Sequence, residues 1–415
     1  MDNITHTLIG ALVGEAAATR REPRETQSDL QGRTLLVWTG ALGSNLPDFD
    51  LLYTTLAHTK VSYLLQHRGY THTIVGALMA GLLLLAGSRV FARWRKWNVS
   101  AGDRRRIVSI CFFVPLLHIG MDFTNNYGVH PFWPWYNGWF YGDSVFIIEP
   151  LLWAACAPLA FTLRSLVGRI LVRAVLIAAI VLPIATALVP VPAVVIVAVV
   201  LGLLLWIARS IKVEVAIACG IACWLLVTAM FATAHSHAAQ LVQRISREQL
   251  NDAHWVDAVL TPLPANPLCW EILFVQTRGG KLVLRRAMLA LAPSIIDASR
   301  CPTRGFDEPI TAPLADVNAD NSPAIKWYGE IRPDVQNLRE LNRSDCHAAA
   351  FFRFARAPWF AIVNHRPVLG DLRYDREKGL GFTELEVNNS SKCGASAPWI
   401  PPRNDVLSDP IFDAR

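Results

Sequence analysis

Two histidines, an arginine and two threonines fall within one short stretch, His67-Arg68-Gly69-Tyr70-Thr71-His72-Thr73, and an almost wholly apolar run, Ile74 to Ala86, follows at once. Imidazoles bind transition metals or move protons, and a guanidinium grips phosphate with two parallel hydrogen bonds. Polar side chains at the mouth of a membrane-length helix are costly to desolvate, so they point to a partner or a metal. His118 and Asp122 are four residues apart and share one helical face, a common start for a zinc or manganese site. His6, Asp48 and a histidine of the central stretch, His67 or His72, are the candidates to complete it. Asp48 and Asp50 diverge in direction, so one can ligate while the other orients a ligand or acts as base. Arg68 is placed to hold a phosphate. A metal here would lower the pKa of a bound water to about 7 and polarise the scissile group.

The elements that must position these residues belong to a membrane protein. Of 415 residues, 53% are hydrophobic and 17% charged, with a mean hydropathy of +0.31, too apolar for an ordinary soluble enzyme. The net charge is +6, but its basic residues gather in short loops between apolar runs. That pattern sets membrane topology and gives no reason to expect nucleic-acid binding. No cleavable leader is read at Met1-Asp2-Asn3. Short apolar segments run from Ile4 to Ala18 and from Thr34 to Asn45. Spans are expected over Tyr70 to Phe91, Ile107 to Met121, Val145 to Leu163, Ile170 to Leu188, Ala193 to Ala208 and Val213 to Thr233. The aromatic stretch Asn125 to Trp135 reads as a loop on the membrane surface. The expected fold is mainly α, a multi-pass membrane helical bundle followed by a small soluble α+β or β-rich domain. Residues 1–240 form the membrane part and 246–415 the soluble part.

Placing Arg20, Arg21, Arg24 and Arg33, Arg89 to Arg106, Arg164 to Arg173, and Arg209 with Lys212 in the cytoplasm separates each group from the next by two crossings. His6, Asp48, Asp50, His67, His72, His118, Asp122, Asp143 and Glu149 then all meet one outer face. Scatter would place some of them mid-helix or at the cytoplasmic ends. In a bacterial inner membrane, this orientation puts the site and the C-terminal part in the periplasm. There Cys269, Cys301, Cys346 and Cys393 could form two disulfides, in one of three pairings. Cys111, Cys156, Cys219 and Cys223 read as small apolar packing residues. In the soluble part, strands are expected at Trp270 to Leu284, folded about Arg278-Gly279-Gly280, and at Phe351 to Val363 and Leu372 to Val387.

Plainer roles exist for single residues. A lone histidine such as His6 commonly packs, Asp48 beside Pro47 can end a helix, and Glu149 before Pro150 can cap one. Asn125 and Asn126 suit turns as well as ligand support. His235 and His237 read as a polar exit from the membrane. It is the convergence of five segments that argues for a metal.

As an ordered set, Met1-Asp2-x-x-Thr5-His6, Asn45-x-Pro47-Asp48-x-Asp50, His67-Arg68-Gly69-x-Thr71-His72, His118-x-x-x-Asp122, and Tyr141-Gly142-Asp143 before Glu149-Pro150 resemble the YdjM-like family of inner-membrane, inferred metal-dependent hydrolases. That family is distantly similar to the zinc-dependent phospholipase C and single-strand nuclease superfamily. The resemblance implies metal ligation by His6, one of His67 and His72, His118 and Asp122, with Asp48 as ligand or general base. The superfamily's downstream HxxxE pair is not found in this chain, so one or two ions, zinc or manganese, are expected rather than three. The function expected is hydrolysis of a phosphoester in a lipid or lipid-linked substrate, with Asp48, Asp50 and Arg68 catalytic and membrane lipids as partners. The alternative is a non-enzymatic inner-membrane protein with a structural metal and a partner-binding periplasmic domain. A transporter fits less well, because Ile170 to Thr233 holds few ionisable residues.

Overall fold

The computed structural model describes residues 1–19, 26–56, 59–302, 310–387 and 396–408. Arg20, Arg21, Arg24 and Cys393 lie outside the described residues. Helices α1 (Asn3–Ala18), α2 (Gln27–Gly43), α3 (Asp50–Leu56), α4 (Lys60–Gln66), α5 (Ile74–Trp94) and α6 (Ala101–Phe123) build the first half of the bundle. Helices α7 (Pro150–Ala155), α8 (Leu159–Thr162), α9 (Leu166–Thr186), α10 (Val191–Ser210) and α11 (Val213–Gln249) complete it. Five of them, α5, α6, α9, α10 and α11, are long and apolar enough to cross a membrane.

The expected single span from Val145 to Leu163 is instead two short helices. Pro150 opens α7, and Pro158 stands between α7 and α8, where a missing N–H and a ring clash break the helical ladder. The broken pair still runs away from the polar end of the bundle. Arg33, at the far end of α2, donates to the carbonyl of Thr162 at 3.1 Å and pairs with Glu15 at 2.9 Å.

Helices α1 and α2 are held by contact of their backbones. A Cβ on Gly10 would collide with the Gly40 carbonyl, and a Cβ on Gly40 with that of Gly10. Small residues permit this approach where lipid offers no hydrophobic drive for association. The close crossing sets His6 of α1 beside the turn that follows α2.

Helix α11 exceeds the expected span from Val213 to Thr233 by more than four turns. At 1.5 Å per residue its 37 residues measure about 55 Å, well beyond a hydrocarbon core of about 30 Å. The excess is explained by packing: Ala238, Val242 and Ile245 are buried against Leu260, Trp270 and Phe274 of the following sheet.

That sheet is antiparallel, in the order β1 (His254–Leu263), β2 (Asn266–Arg278), β3 (Lys281–Ala290), β4 (Ile325–Ile331). Gly279 and Gly280 make the β2–β3 turn with φ of 53° and 77°, and Arg278 pairs with Lys281 across it. Positive φ at both central residues matches the twist of the flanking strands, which is why the glycine pair marks a hairpin. Helices α12 (Val335–Ser344) and α13 (Cys346–Phe352) follow. A second antiparallel sheet contains β5 (Pro358–Val363), β6 (Arg366–Asp371) and β7 (Glu384–Glu386), and α14 (Asn404–Leu407) ends the described chain.

Two expected strands are corrected. Of Phe351 to Val363, only the part from Pro358 is extended, because Phe351 and Phe352 close α13 and turn inward. Of Leu372 to Val387, only Glu384–Glu386 forms a strand; Leu372 to Tyr374 forms the turn that follows Asp371, whose carboxylate takes the Arg373 guanidinium at 2.7 Å. The stretch from Asn125 is not a loop lying wholly on a membrane. Tyr127 and His130 are buried, His130 stacks on Trp399 at 4.0 Å, and Trp139 donates to the Arg353 carbonyl at 2.7 Å. Only its tip, with Phe132, Trp135 and Tyr136, is exposed.

Cys269 and Cys301 form a disulfide and Cys346 is also disulfide-bonded. Cys111, Cys156, Cys219 and Cys223 are free. Membrane and C-terminal parts share one apolar core, in which Leu64, Leu65 and Tyr127 meet Leu273, Phe351, Trp359 and Trp399.

Candidate metal centre

The site is assembled from loops and helix ends. Pro47 opens a 3-10 turn, Pro47–Phe49, that turns Asp48 inward. Asp50, the first residue of α3, fixes the histidine-rich loop. Its carboxylate accepts from the Arg68 N–H at 2.8 Å, from Thr71 Oγ1 at 2.9 Å and from His67 Nδ1 at 3.1 Å. Arg68 is thereby held at a φ of 59°, the left-handed region that disfavours side chains other than glycine, at a cost of about 1–2 kcal/mol. Thr73 then caps α5 by accepting from the Gly76 N–H at 2.9 Å. From the other side, α6 supplies His118 and Asp122 on its buried face.

Four buried side chains converge: Asp48, His72, His118 and Asp122. His72 Nε2 is 3.0 Å from His118 Nε2, 3.3 Å from Asp48 Oδ1 and 3.1 Å from Asp122 Oδ2. His118 Nε2 is 3.5 Å from Asp48 Oδ1 and 3.3 Å from Asp122 Oδ2. A tetrahedral ion bound at about 2.0–2.1 Å has ligand atoms about 3.3 Å apart, so these five separations fit its edges.

The tautomers agree. His118 Nδ1 donates to the Ser44 carbonyl at 2.6 Å, which leaves the Nε2 lone pair facing the cage. His72 Nδ1 lies 3.3 Å from Asp50 Oδ2 and 3.0 Å from Thr71 Oγ1, which likewise turns the Nε2 lone pair inward. A carboxylate behind a ligating imidazole fixes its orientation and raises its basicity. Two lone pairs 3.0 Å apart require a cation between them, a proton or a metal ion.

Charge at the loop residues follows from this. Burial alone would lower the His72 pKa, but hydrogen bonds with Asp122, Asp48 and Asp50 lift it to about 10. Burial would raise Asp50, but hydrogen bonds from His67 and His72 draw it down to about 2. Asp48 is held well below the usual carboxylate range, its burial outweighed by His118 and His72.

A second group, Asp48, Asp50 and His67, shares Asp48 with the first. His6 stands behind the four-donor cage: its Nε2 is 3.2 Å from Asp122 Oδ1 and its ring stacks on His118 at 3.7 Å. Its Nδ1 is buried with no hydrogen-bond partner among the described residues. The Met1 amino group also pairs with Asp122 Oδ1. Arg68 lies over Tyr127 at 4.8 Å, reaches Asp122 Oδ1 at 3.1 Å and donates to Asn125 Oδ1 at 2.8 Å.

Asp143 and Glu149 serve the fold instead. Asp143 pairs with Arg356 at 2.8 Å. Glu149 caps α7 through the Leu151 N–H at 3.0 Å and accepts from the Ala265 N–H at 2.9 Å. His235 lies 6.1 Å from the ring of Trp270.

Arg68, in contact with Asp122 of the cage, lines a neighbouring cavity of ≈ 400 Å3, whose walls include His67, Arg68 and Asn125 on the membrane side and Thr261, Tyr374 and Arg376 on the other. The latter three escaped the sequence reading, since no motif surrounds them and they lie some two to three hundred residues along the chain from Arg68.

No curated protein and no solved structure matches the chain. The family model for the YdjM inner membrane protein matches residues 1–235, more than half of the 415, and the chain belongs to that family.

Proposed function

We propose that this chain is a membrane-bound, metal-dependent hydrolase of a phosphoester in a lipid or lipid-linked substrate. The observation that carries the reading is a buried cage of two histidines and two aspartates beside a cavity that an arginine lines. His72, His118, Asp48 and Asp122 would hold the ion, zinc or manganese, and Asp48, Asp50 and His67 a second one. A bound divalent ion supplies a water with a pKa of about 7 and a Lewis-acid contact for the phosphoryl group. Arg68 binds a non-bridging phosphate oxygen. Asp50 keeps the His72 Nε2 lone pair aimed at the cage, and with a single ion bound, the Asp48 carboxylate oxygen not on that ion would take the proton of the attacking water. The basic loops support an orientation with this chemistry at the periplasmic face, toward the outer leaflet. The test is phosphate release from dihexanoyl phosphatidic acid by the purified full chain with added zinc or manganese. Activity lost on chelation and in Arg68→Ala and Asp48→Asn supports the reading; activity unchanged in Asp48→Asn overturns it.

A second reading, a structural metal in a non-enzymatic protein, draws on the depth of the cage, none of whose four donor residues is more than 5% exposed. A structural ion has every position filled by protein, so its removal would melt the bundle rather than leave an intact, inactive chain.

A further inference from the structure

A groove of ≈ 770 Å3 lies apart from the metal cage, between α1, α2 and the start of α9. Helix α9 packs mainly on α7, α8 and α10, which leaves a gap toward α1 and α2. On α1 the groove is lined by Ile4, Leu8 and Ala11, whereas His6 is on the other face of the helix. Val37 of α2 and Leu171 and Val175 of α9 form the remaining apolar walls. The hydroxyls of the lining are already engaged. Thr7 Oγ1 donates to the Asn3 carbonyl at 2.7 Å, Thr34 Oγ1 donates to the Leu30 carbonyl at 2.8 Å, and Ser165 Oγ accepts from the Gly168 N–H at 3.2 Å. Glu15 and Arg33 close one end as an ion pair at 2.9 Å, and Arg33 also donates to the Thr162 carbonyl. Water gains little by entering such a space. Left empty, it would forfeit the dispersion contacts of every wall residue.

Depth and length point to the occupant. Helix α9 is long and apolar enough to cross a membrane, and the groove follows it only from Val167 to Ala178. That stretch, and Ile4 to Glu15 on α1, each measure about 16 Å at 1.5 Å per residue. One leaflet of a hydrocarbon core of about 30 Å is about 15 Å deep. Arg33, Arg164 and Ser165 mark the end at the basic loops, and the apolar part extends from there toward the middle of α9. The groove is open sideways: on its rim Trp38, Val167 and Leu171 are 56%, 65% and 61% exposed. A slot one leaflet deep, polar at the membrane boundary and apolar toward the midplane, matches a single phospholipid chain beneath its head group.

We propose that this groove seats one acyl chain of a phospholipid from the leaflet on the side of the basic loops, with the head group at the level of Arg164 and Ser165. The lipid fills the gap between α9 and the helices that carry the metal cage. The seat selects the chain rather than the charge of the head, and it does not depend on the hydrolase reading.

The full-length chain is placed in phosphatidylcholine nanodiscs that contain a phosphatidylcholine with a diazirine midway along one chain, irradiated, and mapped by mass spectrometry. Crosslinks concentrate on Leu8, Val37, Leu171 and Val175, several-fold above those on Val195 and Val199, which α10 exposes to the same lipid. In parallel, the phospholipid retained through detergent exchange is counted, and the wild type keeps a single molecule. Ala174→Trp combined with Ala178→Trp, which fills the groove from α9, weakens that retention by roughly tenfold, the scale of two displaced methylenes. Val195→Trp, on the exposed face of α10, retains lipid as the wild type does. Crosslinks spread evenly over α9 and α10 overturn the proposal, as does unchanged retention in the filled variant. A lipid-free dimer whose crosslinks join Trp38 or Leu171 of two copies also overturns it, in favour of a second chain as the occupant. The crosslink map needs no variant, so it decides the matter even where the filled chain fails to fold.

Discussion

Helix α6 and helices α9 and α10 all have membrane length, yet they solve different problems. Half of the most apolar window of α6 is buried within the protein, against 22% for α9 and 28% for α10. Helix α6 ends in His118 and Asp122 and lies among α1, α2 and α5, whereas α9 and α10 present Val181, Ile184, Val195 and Val199 outward. A helix hydrophobic on all sides is at home in lipid, while one that carries ionisable groups must be shielded by protein. The first half of the bundle is thus a scaffold for a polar site, and α9 and α10 chiefly give it a place in the membrane.

The contrast can be broken most severely at the contact that seals the polar end. Arg356→Ala leaves Asp143 buried without its ion pair and is expected to cost about 3–5 kcal/mol, read as lost thermal stability of the purified chain. Gly10→Leu forces apart the α1–α2 crossing; overpacking of this kind costs about 1–3 kcal/mol, and metal content should fall with it as His6 and Asp48 separate. A smaller effect is expected in the C-terminal domain. Burial and the nearby Asp375 push the Glu384 carboxyl up to about 7 from its ordinary 4.5. The folded chain then keeps a proton that the unfolded chain releases, so this group's contribution to stability is fully present below pH 4.5 and is lost as the pH rises through 7. Denaturant midpoints across that range should show the slope, and Glu384→Gln should flatten it. At the other extreme, Val199→Ala on the lipid face of α10 should change stability by less than about 0.5 kcal/mol; a larger loss would mean that α10 packs against protein there.

The sequence was most legible where local chemistry leaves few options. Arg278-Gly279-Gly280 announces its turn because two positive φ angles suit glycine. His67 to Thr73 announces a site because so many polar groups beside an apolar run need partners. Less could be read where distant contacts decide. Val145 to Leu163 is apolar enough for one span, and Pro150 and Pro158 break it without spoiling that composition. β1 and β4 escaped notice because tertiary pairing buries much of both of them, which blurs the alternation that marks a half-exposed strand. Arg376 and Tyr374 could not be connected to Arg68 at all, since only the folded chain brings residues so distant in sequence onto one cavity.

The most direct test of the account is elemental analysis of the full-length protein, purified in detergent, as wild type and as His118→Ala/Asp122→Ala. At least one equivalent of zinc or manganese is expected in the wild type and its loss in the variant, which removes two of the four donors. No bound transition metal in either protein, with the helical bundle intact, would contradict it and leave the buried histidines and aspartates as a hydrogen-bonded packing network.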